Sequence, residues 1–223
     1  MGRPHAARAR KEPEVSVPDT GVRGGRLPRS ARRAQLLEAA QSVFVEYGYH
    51  AAAMDEIAER AHVSKPVLYQ HFPGKLDLYL ALIDQYTTEL PALVREAIAS
   101  TTDNKQRVAA AVGAFFSFVE REDAAFRLVF ESDLLGEPAV AQRVQQMGAE
   151  CADAVTKVIQ EDTELPSEQS HLLGVATVGM SQIVARYWMQ EKTIPREEAE
   201  RLVSMLAWRG LAGFPLHPES GTD

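Results

Sequence analysis

The chain has 223 residues, 45% of them apolar, and a net charge of −7, which is enough apolar material for a folded core and too much for a chain disordered throughout. No apolar run approaches the roughly 18 residues that a membrane helix requires, and no secretory apolar stretch opens the chain, so a cytoplasmic protein without a membrane partner is expected. Its single cysteine, Cys151, excludes an intrachain disulfide or a cysteine-based metal cluster and reads as a small buried apolar group.

The charge is unevenly spread. Residues 1–33 hold nine basic groups against three acidic ones, a surplus of six, which leaves −13 on the other 190 residues. A cationic end on an acidic body suits a molecule that meets a polyanion at one end only. Residues 1–28 carry Pro4, Pro13, Pro18, Pro28 and four glycines and bury too little to fold, so they read as a flexible basic arm.

After Ser30, a residue suited to cap a helix, Leu36, Leu37, Ala40, Val43, Phe44 and Tyr47 recur at three- and four-residue spacing until Gly48. That is the pattern of an amphipathic helix with a glycine stop. A second, short helix is predicted over 54–61, with Ile57, Ala58 and Ala61 inward and Asp55 and Glu56 in its first turn. His62 and Val63 leave room only for a tight turn. Ser64 then caps a third helix opened by Lys65 and Pro66, where proline sacrifices a backbone N–H that has no intrahelical partner. Two short helices joined so tightly must cross steeply, in helix-turn-helix geometry.

From Lys75 onward the chain reads helical over 75–99, 104–121, 124–134, 138–161, 167–191 and 195–209, with breaks at polar, glycine or proline clusters. Pro91 is expected to kink or split the first of these. No strand alternation competes, and the fold class is all-α. The expected domains are the arm (1–28), a three-helix DNA-binding unit (29–74), a helical regulatory and dimerisation unit (75–214) and a tail (215–223).

Residues 36–78 resemble the TetR family of regulators, most clearly in the segment VSKPVLYQHFPGKLDLY, where Tyr69, His71 and Phe72 are followed by Lys75 and Leu78. The resemblance implies a double-stranded DNA partner with a palindromic operator, a homodimer and, most often, repression relieved by a small apolar effector. Leu68 and Phe72, four apart, can face inward. Lys65, Pro66, Val67 and Gln70 then lie outward beside Ser64, where they can meet base edges and thymine methyls. By resemblance Tyr69, His71 and Lys75 clamp phosphates. The pattern departs at Ala52 and Ala53, where the family has a capping Ser or Thr, and at His62, where it has a turn glycine. Arg29, Arg32 and Arg33 can compensate from the minor groove or by binding phosphate.

In the second half Gly174, Thr177, Ser181 and Ala185 form a stripe of small residues. With Trp188, Leu202, Met205 and Leu206 they are expected to pair with a second copy. Phe115, Phe118, Phe126, Met147, Met180 and Tyr187 are candidates for an effector pocket within an otherwise aromatic core. The chain has no Gly-x-Ser-x-Gly, phosphate-binding glycine loop or His-Glu-x-x-His, and its six histidines show no metal-ligand spacing. No enzyme, cofactor or metal is therefore expected. A helical adaptor that has lost DNA binding is the alternative, and a nucleoid-associated cytoplasmic regulator is the main expectation.

Overall fold

The computed structural model describes residues 27–121, 125–130, 133–134 and 136–210. The expected arm, except for Leu27 and Pro28, and the expected tail lie outside the described residues. Among the described residues the secondary structure is helical: α1 (Arg29–Ala51), α2 (Met54–Arg60), α3 (Lys65–His71), α4 (Lys75–Ala99), α5 (Asn104–Val119), α6 (Ala125–Phe130), α7 (Pro138–Asp162), α8 (Ser167–Glu191) and α9 (Arg196–Arg209). No helix among them is long and apolar enough to cross a membrane.

The apolar face of α1, with Leu36, Ala40, Val43 and Phe44 all buried, shares one core with Ile57 and Ala58 of α2 and Leu68 of α3. Tyr47 departs from this face. It is exposed, with the Arg60 guanidinium 5.9 Å from its ring. Ser30 is not the cap, because α1 starts one residue earlier with Pro28 at its N-cap and no side-chain cap. Gly48 breaks the helical dihedrals (φ 75°, ψ 166°), as its freedom at positive φ allows, and one short turn resumes to Ala51.

The turn after α2 closes by two backbone bonds, from His62 N to Glu59 O (2.9 Å) and from Val63 N to Ala58 O (3.0 Å). This is the paired pattern of a helix end whose next residue is left-handed. His62 occupies that position at φ 51°, where a side chain costs about 1–2 kcal/mol relative to glycine. Replacing His62 with glycine is therefore expected to raise stability by about 1 kcal/mol, read as a higher midpoint in chemical denaturation.

Pro91 does not split α4, which runs unbroken from Lys75 to Ala99. The proline removes one backbone donor, while the fully buried Leu90 and Val94 hold the helix on either side of it. Around α4 the body is built from helix pairs: α4 on α5 and α7, α7 on α8, α5 on α9. Its core includes Phe115, Phe116, Phe118, Met147 and Cys151. Burial pushes the Cys151 thiol up to about 12, which leaves it unreactive, as the sequence reading expects.

Two residues of α4, Tyr79 and Lys75, help join the three-helix head to the body. The buried Tyr79 hydroxyl donates to the Leu128 carbonyl at 3.0 Å, and the Tyr79 ring stands edge-on to Phe44 and Tyr49 at 5.1 and 5.3 Å. Lys75, the first residue of α4, donates from Nζ to the carbonyls of Tyr49 (2.7 Å), His50 (3.2 Å) and Ala52 (2.9 Å).

Candidate nucleic-acid interface

Helix α3 has only seven residues, too few to persist alone in water. It is held in place by Leu68 and Phe72, which are 0% and 2% exposed. Its opposite side is free: Ser64, Lys65, Pro66, Tyr69 and Gln70 are exposed, and Val67 and His71 are half-buried. Ser64 occupies the N-cap, but its side chain makes no capping bond. Lys65 reaches back to α2 and pairs with Asp55 (Nζ to Oδ2, 2.6 Å).

Helix α1 brings its first turns to the same face. An open hollow of about 540 Å³ is bordered by Leu27, Arg29 and Arg32 on one side and by Val67, Gln70 and His71 on the other. Partial burial, followed by the charges of Arg29, Arg33 and Arg32, holds the His71 imidazole below its ordinary pKa. At neutral pH it therefore offers a hydrogen-bonding ring rather than a further charge. Arg32 and Arg33 are anchored rather than trailing. Arg32 donates to Gln35 (2.7 Å), which donates on to the Ala61 carbonyl (2.9 Å), and the Arg33 guanidinium lies 4.3 Å from the Phe72 ring centre. Cationic, hydrogen-bonding and apolar groups thus share one surface, the mixture of groups that contacts to phosphates and base edges require.

Lys75 does not belong to that surface. Its ammonium protons are engaged by three carbonyls at the α1–α2 corner, with Nζ 4.5 Å from the Tyr49 ring centre. In this structure it fastens the start of α4 to the α1–α2 corner. Ala53 stands at the N-cap of α2 with no side-chain cap, and Ala52 is buried at 3% exposure. Two residues that periodicity does not reveal are central here. Asp55 partners Lys65, and Arg60 braces α2 against α1 through Ser42 (2.9 Å) and Glu46 (2.8 Å) while also pairing with Glu56 (2.9 Å) on its own helix.

In the body the small-residue stripe turns inward. Gly174, Ser181 and Ala185 are buried within one chain, and a Cβ on Gly174 would lie 2.3 Å from Thr156 Oγ1 and 2.8 Å from the Ala152 carbonyl. At Gly174 the missing side chain serves close approach to α7 of the same chain. Trp188 is also buried, its indole N–H donating to the Ile194 carbonyl at 2.9 Å. Thr177, Leu202, Met205 and Leu206 are half-buried. The outward face of α8 instead carries Leu172, Val175, Ile183 and Tyr187, exposed by 68%, 47%, 66% and 60%.

Among the aromatic and methionine candidates, Phe115, Phe118 and Met147 are buried in the core, Met180 is half-buried, and Tyr187 is exposed. Phe126 lies on α6, outside the described side chains. A hollow of about 470 Å³ opens elsewhere, between the distal ends of α4, α5, α7, α8 and α9. Ile98, Val108, Ala111, Val155, Ile159 and Leu173 line it together with the Arg107–Asp162 ion pair (3.0 Å), and none of the six candidates borders it.

Comparison with known proteins agrees with this geometry. Residues 36–82 match the tetR family of bacterial regulatory proteins, and residues 104–210 match the tetracyclin repressor-like C-terminal domain. The HTH-type transcriptional activator FasR of Mycolicibacterium smegmatis is 48% identical over 195 residues, covering 87% of this chain and 89% of that protein. A solved TetR-like regulator from Rhodococcus sp. RHA1 superposes with a TM-score of 0.68 at 28% identity, covering 85% of this chain and 100% of that one. The regulator FadR from Bacillus subtilis, solved in complex with stearoyl-CoA, gives a TM-score of 0.65 at 19% identity over 80% of this chain and 98% of its own. With a family match at each end and a relative aligned over most of its length, the chain belongs to the TetR family of DNA-binding transcriptional regulators.

Proposed function

We propose that two copies of this chain pair through the outward face of α8 and the adjoining surface of α9, and read a palindromic operator with one α3 in each half-site. The single observation that carries the reading is the apolar strip of Leu172, Val175, Ile183 and Tyr187, left largely uncovered by the chain's own packing. A strip of this kind on a soluble helix is a contact surface waiting for a partner, and a two-fold pair sets two heads about one DNA turn (roughly 34 Å) apart. Arg29, Arg32, Ser64, Lys65, Pro66, Val67, Tyr69, Gln70 and His71 form the DNA-facing surface, and the protein acts on the nucleoid in the cytoplasm.

The hollow between the distal helix ends suits an effector with an aliphatic portion and one polar end, which its ion pair can receive. Occupancy there would shift the spacing of the heads by favouring one arrangement of the pair. On the sign of regulation, the relative at 48% identity is named an activator, which favours activation over the repression that the family resemblance implies.

The test is selection of bound duplexes from a random pool, followed by a salt titration on the selected site. A two-fold consensus is expected, with a log–log slope near −0.9 for each phosphate neutralised. The Ile183→Glu variant, which puts a charge in the middle of the strip, is expected to sediment as a monomer and to lose the two-fold consensus. A protein that ignores duplex DNA at low salt would point to the adaptor alternative. A wild type that is monomeric on its operator would overturn the paired arrangement.

A further inference from the structure

We propose that Asp55 and Lys65 act together as one recognition unit that reads a single G·C base pair in each half-site. This rests on the reading that α3 enters the major groove. Asp55 lies in the first turn of α2 and Lys65 opens α3, and their charged atoms are 2.6 Å apart with side chains 63% and 60% exposed. An exposed ion pair of this kind contributes little to folding. The brace between α1 and α2 is already made by Arg60, which is 28% exposed and holds Glu46, Glu56 and Ser42. The Asp55–Lys65 pair therefore adds little to the head's architecture, yet it fixes a donor and an acceptor side by side at the tip of α3.

That arrangement is complementary to one edge of DNA. In the major groove a G·C pair presents guanine N7 and O6 as acceptors and then the cytosine N4 donor. O6 and N4 are themselves hydrogen-bonded, so they lie about 2.9 Å apart. The lysine ammonium, with two N–H groups left after the bond to Asp55, faces O6 and N7, while the free carboxylate lone pairs accept from N4. With adenine on the guanine side the ammonium would face the N6 donor and the carboxylate the thymine O4 acceptor, whereas with thymine on that side O4 and N6 still match and the methyl replaces the N7 acceptor. G·C is matched at all three atoms, one A·T orientation is opposed at two of them, and the other loses the N7 contact.

The experiment is duplex selection with the wild type, Asp55→Ala, Lys65→Ala and the double variant, with affinities then measured on the selected site and on the same site carrying each base-pair exchange. Melting curves confirm that these exposed positions leave folding intact. Both single variants are expected to lose G·C preference at the same position, by about tenfold or more, and the double variant to lose no more than either. Relaxation at two different positions would overturn the paired reading. So would a uniform gain in affinity for Asp55→Ala, the behaviour of a carboxylate that merely repels phosphate. A wild type without any consensus would count against groove entry itself, whereas a wild-type consensus unchanged in Asp55→Ala would count against the unit alone.

Discussion

Truncating Leu68 to alanine is expected to destabilise the protein by about 2–5 kcal/mol and to remove specific DNA binding well below the melting temperature. Leu68 is fully buried, and with Phe72 it is what attaches a seven-residue helix to the head. A helix this short owes its persistence to tertiary packing rather than propensity, so the cavity left by the truncated side chain falls beneath the outward face of α3. In a chain of this size the loss corresponds to a melting temperature lower by roughly 5–20 °C. Calorimetry and binding on the selected site read the two consequences separately. Wild-type affinity together with an unchanged melting temperature would mean that α3 is oriented by something other than this core.

Gly174→Val carries the second large expected effect, a loss of about 3 kcal/mol. A Cβ at this position meets Thr156 Oγ1 at 2.3 Å and the Ala152 carbonyl at 2.8 Å. The threonine can rotate, but the carbonyl is helix backbone and can yield only if α7 and α8 move apart. Gly148→Ala, where nothing lies within 4 Å of the added carbon, is the matched control and should gain up to about 1 kcal/mol through helix propensity. Denaturation midpoints at one fixed protein concentration decide it. Equal behaviour of the two variants would show that the α7–α8 contact is more compliant than its distances imply.

The segments of this fold were legible because their signals are local. Gly48, Pro66, Pro138 and Pro195 punctuate helices at or next to the residues where helices begin or break. Side-chain direction was harder. The Gly174 stripe says that something approaches closely, but periodicity does not say whether the approaching helix belongs to the same chain, and here it is α7. Phe115, Phe118 and Met147 announce a core by their volume, whereas the distal hollow is made by helix ends that part from one another, a property of crossing geometry that leaves no mark on composition. The outward residues of α3 followed from the inward pair Leu68 and Phe72. Asp55 did not, since its relation to Lys65 exists only once the α2–α3 turn folds nine intervening residues back on themselves. The contacts of Lys75 were hidden for a similar reason: its length and charge suit a phosphate, and only the fold brings three backbone oxygens to its ammonium.

The grip of Lys75 on the corner between α1 and α2 also bears on how information crosses the molecule. The longest helix of the head–body junction begins at the very residue whose ammonium bridges three carbonyls at the end of α1 and just beyond it. A tilt of that helix would pull on the corner through these bonds, and α3 ends only three residues before it begins. The opposite end of the same helix borders the aliphatic hollow through Ile98, so one rod spans the distance from the hollow to the three-helix head.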